Sequence, residues 1–356
     1  MKKEKKEQKK LKKKYVIILG IIILLIIIAL VLFLVLGNNK EEKKPTKKDK
    51  EVVEEVKEKV DIVDLDSKTR PITVSINNTP VAVKVQRGLN SAYIVYEIPT
   101  EGSTSRLLGV FRDIDDNTVI GTVRSARHNF IDFSKEHNAI FTSYGWSIYA
   151  EKELKTNTID YIQGMVSDKP FWRENPENLS REHTVYTTYG NLKDFAVNDK
   201  GYSMESDSWQ LLNYNVEDVD LSTKEGSMVA NTVNIPYGSV VTVFKYNSET
   251  KMYNRIVNDV VTTDYGTKEE FTTKNVIVAK LNGYDLTPNK IYWDLYNTGS
   301  GDGFFITNGY AVPIKWSKES RDAKTKYTYL DGSEIEVSDG RTYIELHVPN
   351  KVVSIN

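Results

Sequence analysis

The sequence predicts an α+β protein, with a mixed α/β domain followed by a β-rich domain, carried behind one transmembrane helix. Three observations predict it. Residues 15–36, "YVIILGIIILLIIIALVLFLVL", carry no charge. Between about residues 70 and 212, β-branched runs mix with stretches that repeat apolar residues every three or four positions. From residue 228 onward only short strand-like runs remain, separated by Gly, Asn, Asp or Pro.

The N-terminal elements come first. At about 1.5 Å rise per residue, residues 15–36 reach across a bilayer core of roughly 30 Å. A signal-peptide core is shorter, about 7–15 residues, and ends in a small-residue cleavage site. Here the run leads straight into "GNNKEEKK". An uncleaved anchor is therefore expected. Nine lysines and two glutamates fill residues 1–14. That basic tail places the N-terminus in the cytoplasm and the bulk of the chain outside the cell membrane. Residues 37–66 are highly charged and read as a solvated stalk, with Val52, Val56 and Val60 allowing a short helix near its end. Folded sequence is expected from near Arg70.

The first exported domain is assigned to residues 67–212. "PITVSINN", "AYIVYEIP" and "SRLLGVFRDI" are apolar, β-branched or aromatic runs bounded by turn residues, and each reads as a strand. If the last two form a hairpin about "TEGST", Glu97 falls opposite Arg106 and a cross-strand ion pair follows. Next, Val123, Ala126, Phe130, Phe133 and His137 recur at spacings of three and four, which predicts a helix with one apolar stripe. "NAIFTSYGW" reads as a further strand. "TYGNLKDFAVN" reads as a helix capped by Thr187 or Thr188. Residues 213–227 read as a linker. Residues 228–356 read as a β-rich domain, a small sandwich or barrel, with Asp-Gly pairs in "LDGSEI" and "SDGRTY" marking hairpins.

Composition narrows the chemistry. There is no cysteine, so disulfides, thiolate metal sites, a cysteine nucleophile and a lipidated cysteine are all excluded. Four histidines are too few to favour a multi-histidine centre, and neither a metal nor a cofactor is expected. Residues 67–356 hold 31 Lys+Arg against 37 Asp+Glu, a mildly acidic balance that argues against nucleic acid as a partner. "DIDDNTVIG" lacks the glycine and distal glutamate of a calcium loop, and "NTGSGDGFF" lacks the Gly-Lys-Ser/Thr of a phosphate loop.

The candidate site comes from charge in an unexpected place. Arg124 and Arg127 stand where the predicted helix begins, yet the first turn of a helix favours negative charge. An anion there would resolve the conflict, either a bound phosphate or carboxylate or an internal glutamate. Glu97, Glu101 and Arg106 supply the surrounding charge. Arg181 and His183, in "ENLSREHTVYTT", offer a further cation and an acid–base or orienting imidazole. No Gly-x-Ser-x-Gly or comparable nucleophile motif accompanies them.

The motifs "RPITVSINN", "RGLNSAYIVYEIPTEGSTSRLLGVF", "IGTVRSAR" and "REHTVYTT", with "NGYAVPIKWSKESRDAKTKYTYLDGSEIEVSDGRTYIEL" further on, resemble those of the YerB-like family of bacterial envelope proteins. The resemblance spans about residues 69–350. It implies a membrane-tethered extracytoplasmic protein with an N-terminal and a smaller C-terminal domain, and it transfers no established activity. Many members look like lipoproteins, and this chain departs from them in having an apolar anchor and no cysteine.

Three functions remain in view. The leading one is an envelope binding or assembly module that recognises an envelope polymer, another anionic ligand or a partner protein. It would use Glu97, Glu101, Arg106, Arg124, Arg127, Arg181 and His183. The second is an envelope-glycan hydrolase or transferase using Glu97 and Glu101, which requires carboxyl groups about 5–10 Å apart. The third is a protein–protein scaffold in which the charges form a structural network.

Overall fold

Strand formation begins with Ile-Thr-Val-Ser-Ile-Asn, a β-branched run buried along its whole length. A strand covered on both faces needs no alternation of polar and apolar residues. This strand is β1 (Ile72–Asn77) of the computed structural model, which describes residues 59–287, 293–348 and 351–356. The expected basic tail, the membrane span and most of the stalk lie outside the described residues. Among the described residues no helix is long and apolar enough to cross a membrane.

The N-terminal region adds β2 (Ile94–Thr100), β3 (Thr104–Phe111), β4 (Ile140–Ser143) and β5 (Tyr161–Gln163). Its helices are α1 (His128–Lys135), α2 (Ile148–Leu154) and α3 (Tyr189–Asp194). The C-terminal region adds β6 (Thr232–Pro236), β7 (Val241–Asn247), β8 (Met252–Val257), β9 (Asn275–Lys280), β10 (Gly283–Asp285), β11 (Trp293–Leu295), β12 (Gly299–Thr307), β13 (Tyr310–Lys318) and β14 (Thr342–His347). The result is β-rich with few helices, an α+β fold.

Among the described residues the central sheet has eleven strands, and its main path ends in the order β13-β12-β9-β14-β2-β3-β1-β4-β5. β14 pairs in parallel with both β2 and β9, so strands from both ends of the sequence share one sheet. One face packs Ile94, Tyr96, Ile98 and Leu108 against Phe130 and Phe133 of α1. The other packs Val74, Ile76, Val95 and Leu107 against Val233, Ile235, Phe244 and Tyr253 of a second, six-stranded sheet built around β6–β8. Each of these fully buried side chains contributes roughly 1.5–3 kcal/mol through water release.

Several expectations change in three dimensions. The C-terminal β-rich region does not close on itself as a sandwich or barrel, because β9, β12, β13 and β14 join the central sheet while β6–β8 cover it. The Asp-Gly of "LDGSEI" does turn a tight hairpin, with Thr328 bridging Glu334 and Gly332 at φ +88°. The Asp-Gly of "SDGRTY" instead separates strands of two different sheets: Glu336–Ser338 pairs with Asn213–Asn215, inside the expected linker, while β14 pairs with β2 and β9. Folded chain also starts before Arg70. Val63 is buried, and Arg112 donates to the carbonyls of Asp64, Ser67 and Thr69, with its guanidinium 3.6 Å over Trp209.

The helix expected across Val123–His137 is confined to α1. Val123 and Ala126 are extended and bridge Ile76 and Trp146. Their three-residue spacing mimics a helix, but main-chain pairing with the end of β1 and with the chain after β4 wins. His137 lies past α1, buried beside Tyr96 and Trp209, and burial pushes its pKa down to about 3, so it is neutral. Thr188 caps α3 as expected, its side chain accepting from Asn191 N–H.

The β2–β3 hairpin forms, but its register is one residue from the expected pairing: Ile98 faces Arg106 and Leu107 faces Glu97. A shift of one sends alternate side chains to opposite faces of a sheet. Glu97 and Arg106 are therefore separated by the sheet itself.

Candidate functional site

Parallel strands β1, β4 and β5 all end at one edge of the sheet, the edge where open α/β sheets place their ligands. At that edge Gln163, the last residue of β5, holds two loops together. Its amide nitrogen donates to Ser143 Oγ (3.1 Å) and Gly145 O (2.9 Å), and its oxygen accepts from the N–H groups of Gly145 (2.6 Å) and Met165 (3.1 Å). Gly145 has φ +94°, and a Cβ there would come within 2.6 Å of Ser125 Oγ. Only glycine lets the loops close this tightly.

The segment 122–127 crosses the strand ends. Arg124 N–H donates to Ser75 O (2.8 Å), Tyr144 N–H to Arg124 O (3.0 Å) and Ala126 N–H to Gly145 O (2.9 Å). Arg124 thus lies in extended chain and Arg127 is the N-cap residue of α1 with φ −119°. The anticipated clash between two guanidiniums and a helix start does not arise in the form expected. Cations gather here because the strand ends bring them together.

Five of the seven expected residues converge. Arg127 Nε donates to Glu101 Oε2 (2.8 Å), and its Nη2 closes a second bond to the same carboxylate. Arg106 Nη1 donates to Ser125 O (2.6 Å), while its Nη2 stays 3.9 Å from Glu101 Oε1. Arg124 Nη1 donates to Glu182 O (3.1 Å) and lies 3.4 Å from Glu182 Oε2. His183 Nδ1 accepts from Asn77 Nδ2 (2.7 Å), and its Nε2 is 3.4 Å from Glu182 Oε1. Arg181 is a different case. Its side chain is exposed, and its carbonyl accepts from Arg173 Nη1 (2.6 Å).

Glu97 is elsewhere. It sits between the two sheets at 0% exposure and accepts from Ser105 Oγ (2.6 Å), Asn78 Nδ2 (2.9 Å) and Thr242 Oγ1 (2.9 Å), with Arg255 Nη2 at 3.4 Å. A sealed carboxylate and one at the hairpin tip cannot flank the same sugar bond, which removes the geometry needed for a Glu97/Glu101 hydrolase.

Electrostatics separates Arg106 from its neighbours. It is buried, and its pKa is lowered to about 9, chiefly by burial and then by repulsion from Arg124, with Glu182 opposing. The nearer carboxylate, Glu101, is already committed to Arg127. Arg124 Nε is buried with no hydrogen-bond partner among the described residues. Burial lowers the His183 pKa against the opposing pull of Glu182, with Arg124 adding to the fall, so the neutral imidazole is favoured near pH 7. Three guanidiniums then face two carboxylates, and the cluster carries an excess positive charge.

Nothing in the sequence singles out Asn77, Ser125, Gln163 or Arg173. Asn77 and Ser125 do fall inside the quoted motifs, but nothing local distinguishes them. Gln163 and Arg173 act through contacts that only the fold creates. Among the described residues no cluster of His, Cys, Asp and Glu is placed to hold a metal ion.

Comparison with known proteins adds relatives. The N-terminal domain described as a protein of unknown function (DUF3048) matches residues 60–203, and the DUF3048 C-terminal domain matches residues 231–344. A Bacillus subtilis (strain 168) protein described as "Putative lipoprotein YerB" is 29% identical over 283 residues, 78% of this chain and 81% of its own. The crystal structure of YerB protein from Bacillus subtilis matches with a TM-score of 0.71 at 26% identity, covering 84% of this chain and 100% of that chain.

Proposed function

Because this chain belongs to the DUF3048 family through both its N-terminal and C-terminal domains, we propose that it is an envelope-associated binding module whose arginine cluster takes a partly buried anion, a phosphate or carboxylate. The observation that carries this reading is Arg106, a buried guanidinium with one main-chain acceptor and no carboxylate of its own within 3.5 Å. A charge held in that state is stabilised by a ligand that brings the missing negative charge.

The description of the relative as a lipoprotein supports placement at the envelope. With no cysteine to carry a lipid, residues 15–36 would hold this chain in the membrane, N-terminus inside. Protease added to intact cells is expected to digest the region beyond residue 58 and spare a short N-terminal fragment, read by antibodies against tags at each end. A C-terminal tag that survives the treatment overturns the placement.

The anion reading is tested by titrating inorganic phosphate into the full-length chain in detergent and following heat or amide shifts. Saturable binding is expected, weakened by about tenfold or more in Arg124→Ala. Arg181→Ala should stay within about twofold, since that side chain is exposed. A second reading has its own observation: Glu101 and Glu182 already neutralise Arg127 and Arg124. On that reading the cluster is a structural network within a scaffold, and phosphate would not bind at all.

A further inference from the structure

We propose that the cavity between the β2–β3 hairpin and the β10–β11 ribbon is a saccharide-binding site, with Trp293 as its platform. The cavity measures about 390 Å³, and Glu101, Tyr237, Asp285, Trp293 and Lys351 are among its walls. That volume falls in the range of small-ligand sites, about 300–1,000 Å³.

Ribbon geometry aims the right residues inward. Asp285 pairs with Trp293 across β10–β11, and Gly283 with Leu295, so these four side-chain positions share one face. The opposite face carries Tyr284 and Asp294, and Asp294 Oδ1 lies 2.6 Å from His128 Nε2, which ties the ribbon to α1. Gly283 makes room for the indole: a Cβ there would stand 1.9 Å from the Trp293 ring. The ring therefore lies against bare main chain and is held before any ligand arrives.

The other wall is held as well. Ser103 O, at the hairpin tip, accepts from Ser239 N–H (2.8 Å) and lies 3.2 Å from Ser239 Oγ. Gly238, with φ +119°, permits that approach, since a Cβ would sit 2.3 Å from the same oxygen. A site held on both sides spends little ordering entropy on binding.

A sugar ring offers an apolar C–H face and a rim of hydroxyls. An indole covers the first. The Asp285 carboxylate accepts from the second, and the Lys351 ammonium donates to ring or hydroxyl oxygens. The mixture of one aromatic platform and polar groups of both kinds fits a sugar better than a lipid tail or an apolar helix. Glu101, held by Arg127, is shared with the arginine cluster, but Trp293, Asp285 and Lys351 are not, so the inference does not rest on the anion reading.

Two probes test it: the β-linked tetramer of N-acetylglucosamine and the α-linked tetramer of glucose, titrated into full-length protein in a detergent without a sugar headgroup. At least one should change tryptophan fluorescence saturably, with affinity reduced about tenfold or more in Trp293→Ala and within about threefold in Trp293→Phe. Asp285→Asn, an exposed change of equal size, should weaken the same sugar. Binding that survives in Arg124→Ala separates this site from the anion cluster. If neither sugar saturates below about 10 mM, or if affinity is unchanged in both Trp293→Ala and Asp285→Asn, the proposal fails.

Discussion

Replacing Arg255 by alanine is expected to destabilise the folded protein by about 3–5 kcal/mol, the cost of breaking a buried ion pair from one side. That is a large part of the roughly 5–15 kcal/mol that holds a typical domain together. Glu97 and Glu345 are register partners on β2 and β14, so their carboxyl groups leave the same face of neighbouring strands. Arg255 reaches them from β8 in the facing sheet, donating to Asn78 Oδ1 at 2.8 Å and lying 3.4 Å from Glu97 Oε2. All three residues are 0% exposed. Without the guanidinium, two carboxyl groups would share one dry space. Urea unfolding of wild type and Arg255→Ala checks this, and a difference below about 1 kcal/mol would contradict it.

The same cluster has a pH signature. Burial, and then the charge of Glu97, raise the Glu345 pKa well above its ordinary 4.5, while Arg255 and the hydrogen bond from Tyr237 oppose the rise. An acid with a raised folded pKa binds more protons folded than unfolded between the two values. Its contribution is complete below about pH 4.5 and declines as pH climbs toward the folded value. Glu345→Gln mimics the protonated form at every pH. The variant should therefore gain on wild type from about pH 5 upward and be the more stable protein at pH 8. A stability difference that stays constant across that range removes the protonation account.

Arg106→Met is expected to give the opposite combination: little change in stability and loss of anion binding by about a hundredfold. Removing a buried cation whose nearest carboxylate serves another arginine relieves desolvation, and the methionine stem fills much of the same space. The change costs the bond to Ser125 O, worth about 1 kcal/mol. Stability should thus move by no more than about 1 kcal/mol in either direction. If Arg106 is purely structural, its loss should instead be strongly destabilising with no phosphate binding to lose. Thermal melts and phosphate titration on one preparation decide between these.

Much of this was legible in the linear chain. Strands at Ile72–Asn77, Ile94–Thr100 and Thr104–Phe111 follow from β-branched runs between turn residues, and the Thr188 cap from a hydroxyl before a helical pattern. The charged residues Glu101, Arg106, Arg124, Arg127 and His183 were also visible, because cations near a presumed helix start call for an anion. Their partners were not. Register placed Glu97 on the far face from Arg106, and the Val123–Ala126 spacing proved to belong to extended chain. Gln163, which holds the site's loops, carries no local signal at all.

The sequence by itself determined the composition of the folded part, its α+β character and the residue types that could meet an anion, because local propensity and apolar periodicity act over a few neighbouring residues. The tertiary structure alone decided which glutamate meets which arginine. β14 enters between β2 and β9, and Arg255 arrives from a strand 158 positions beyond Glu97. Such pairings depend on strand register and sheet order, which are set by the packing of the whole core and leave no mark on the residues beside them.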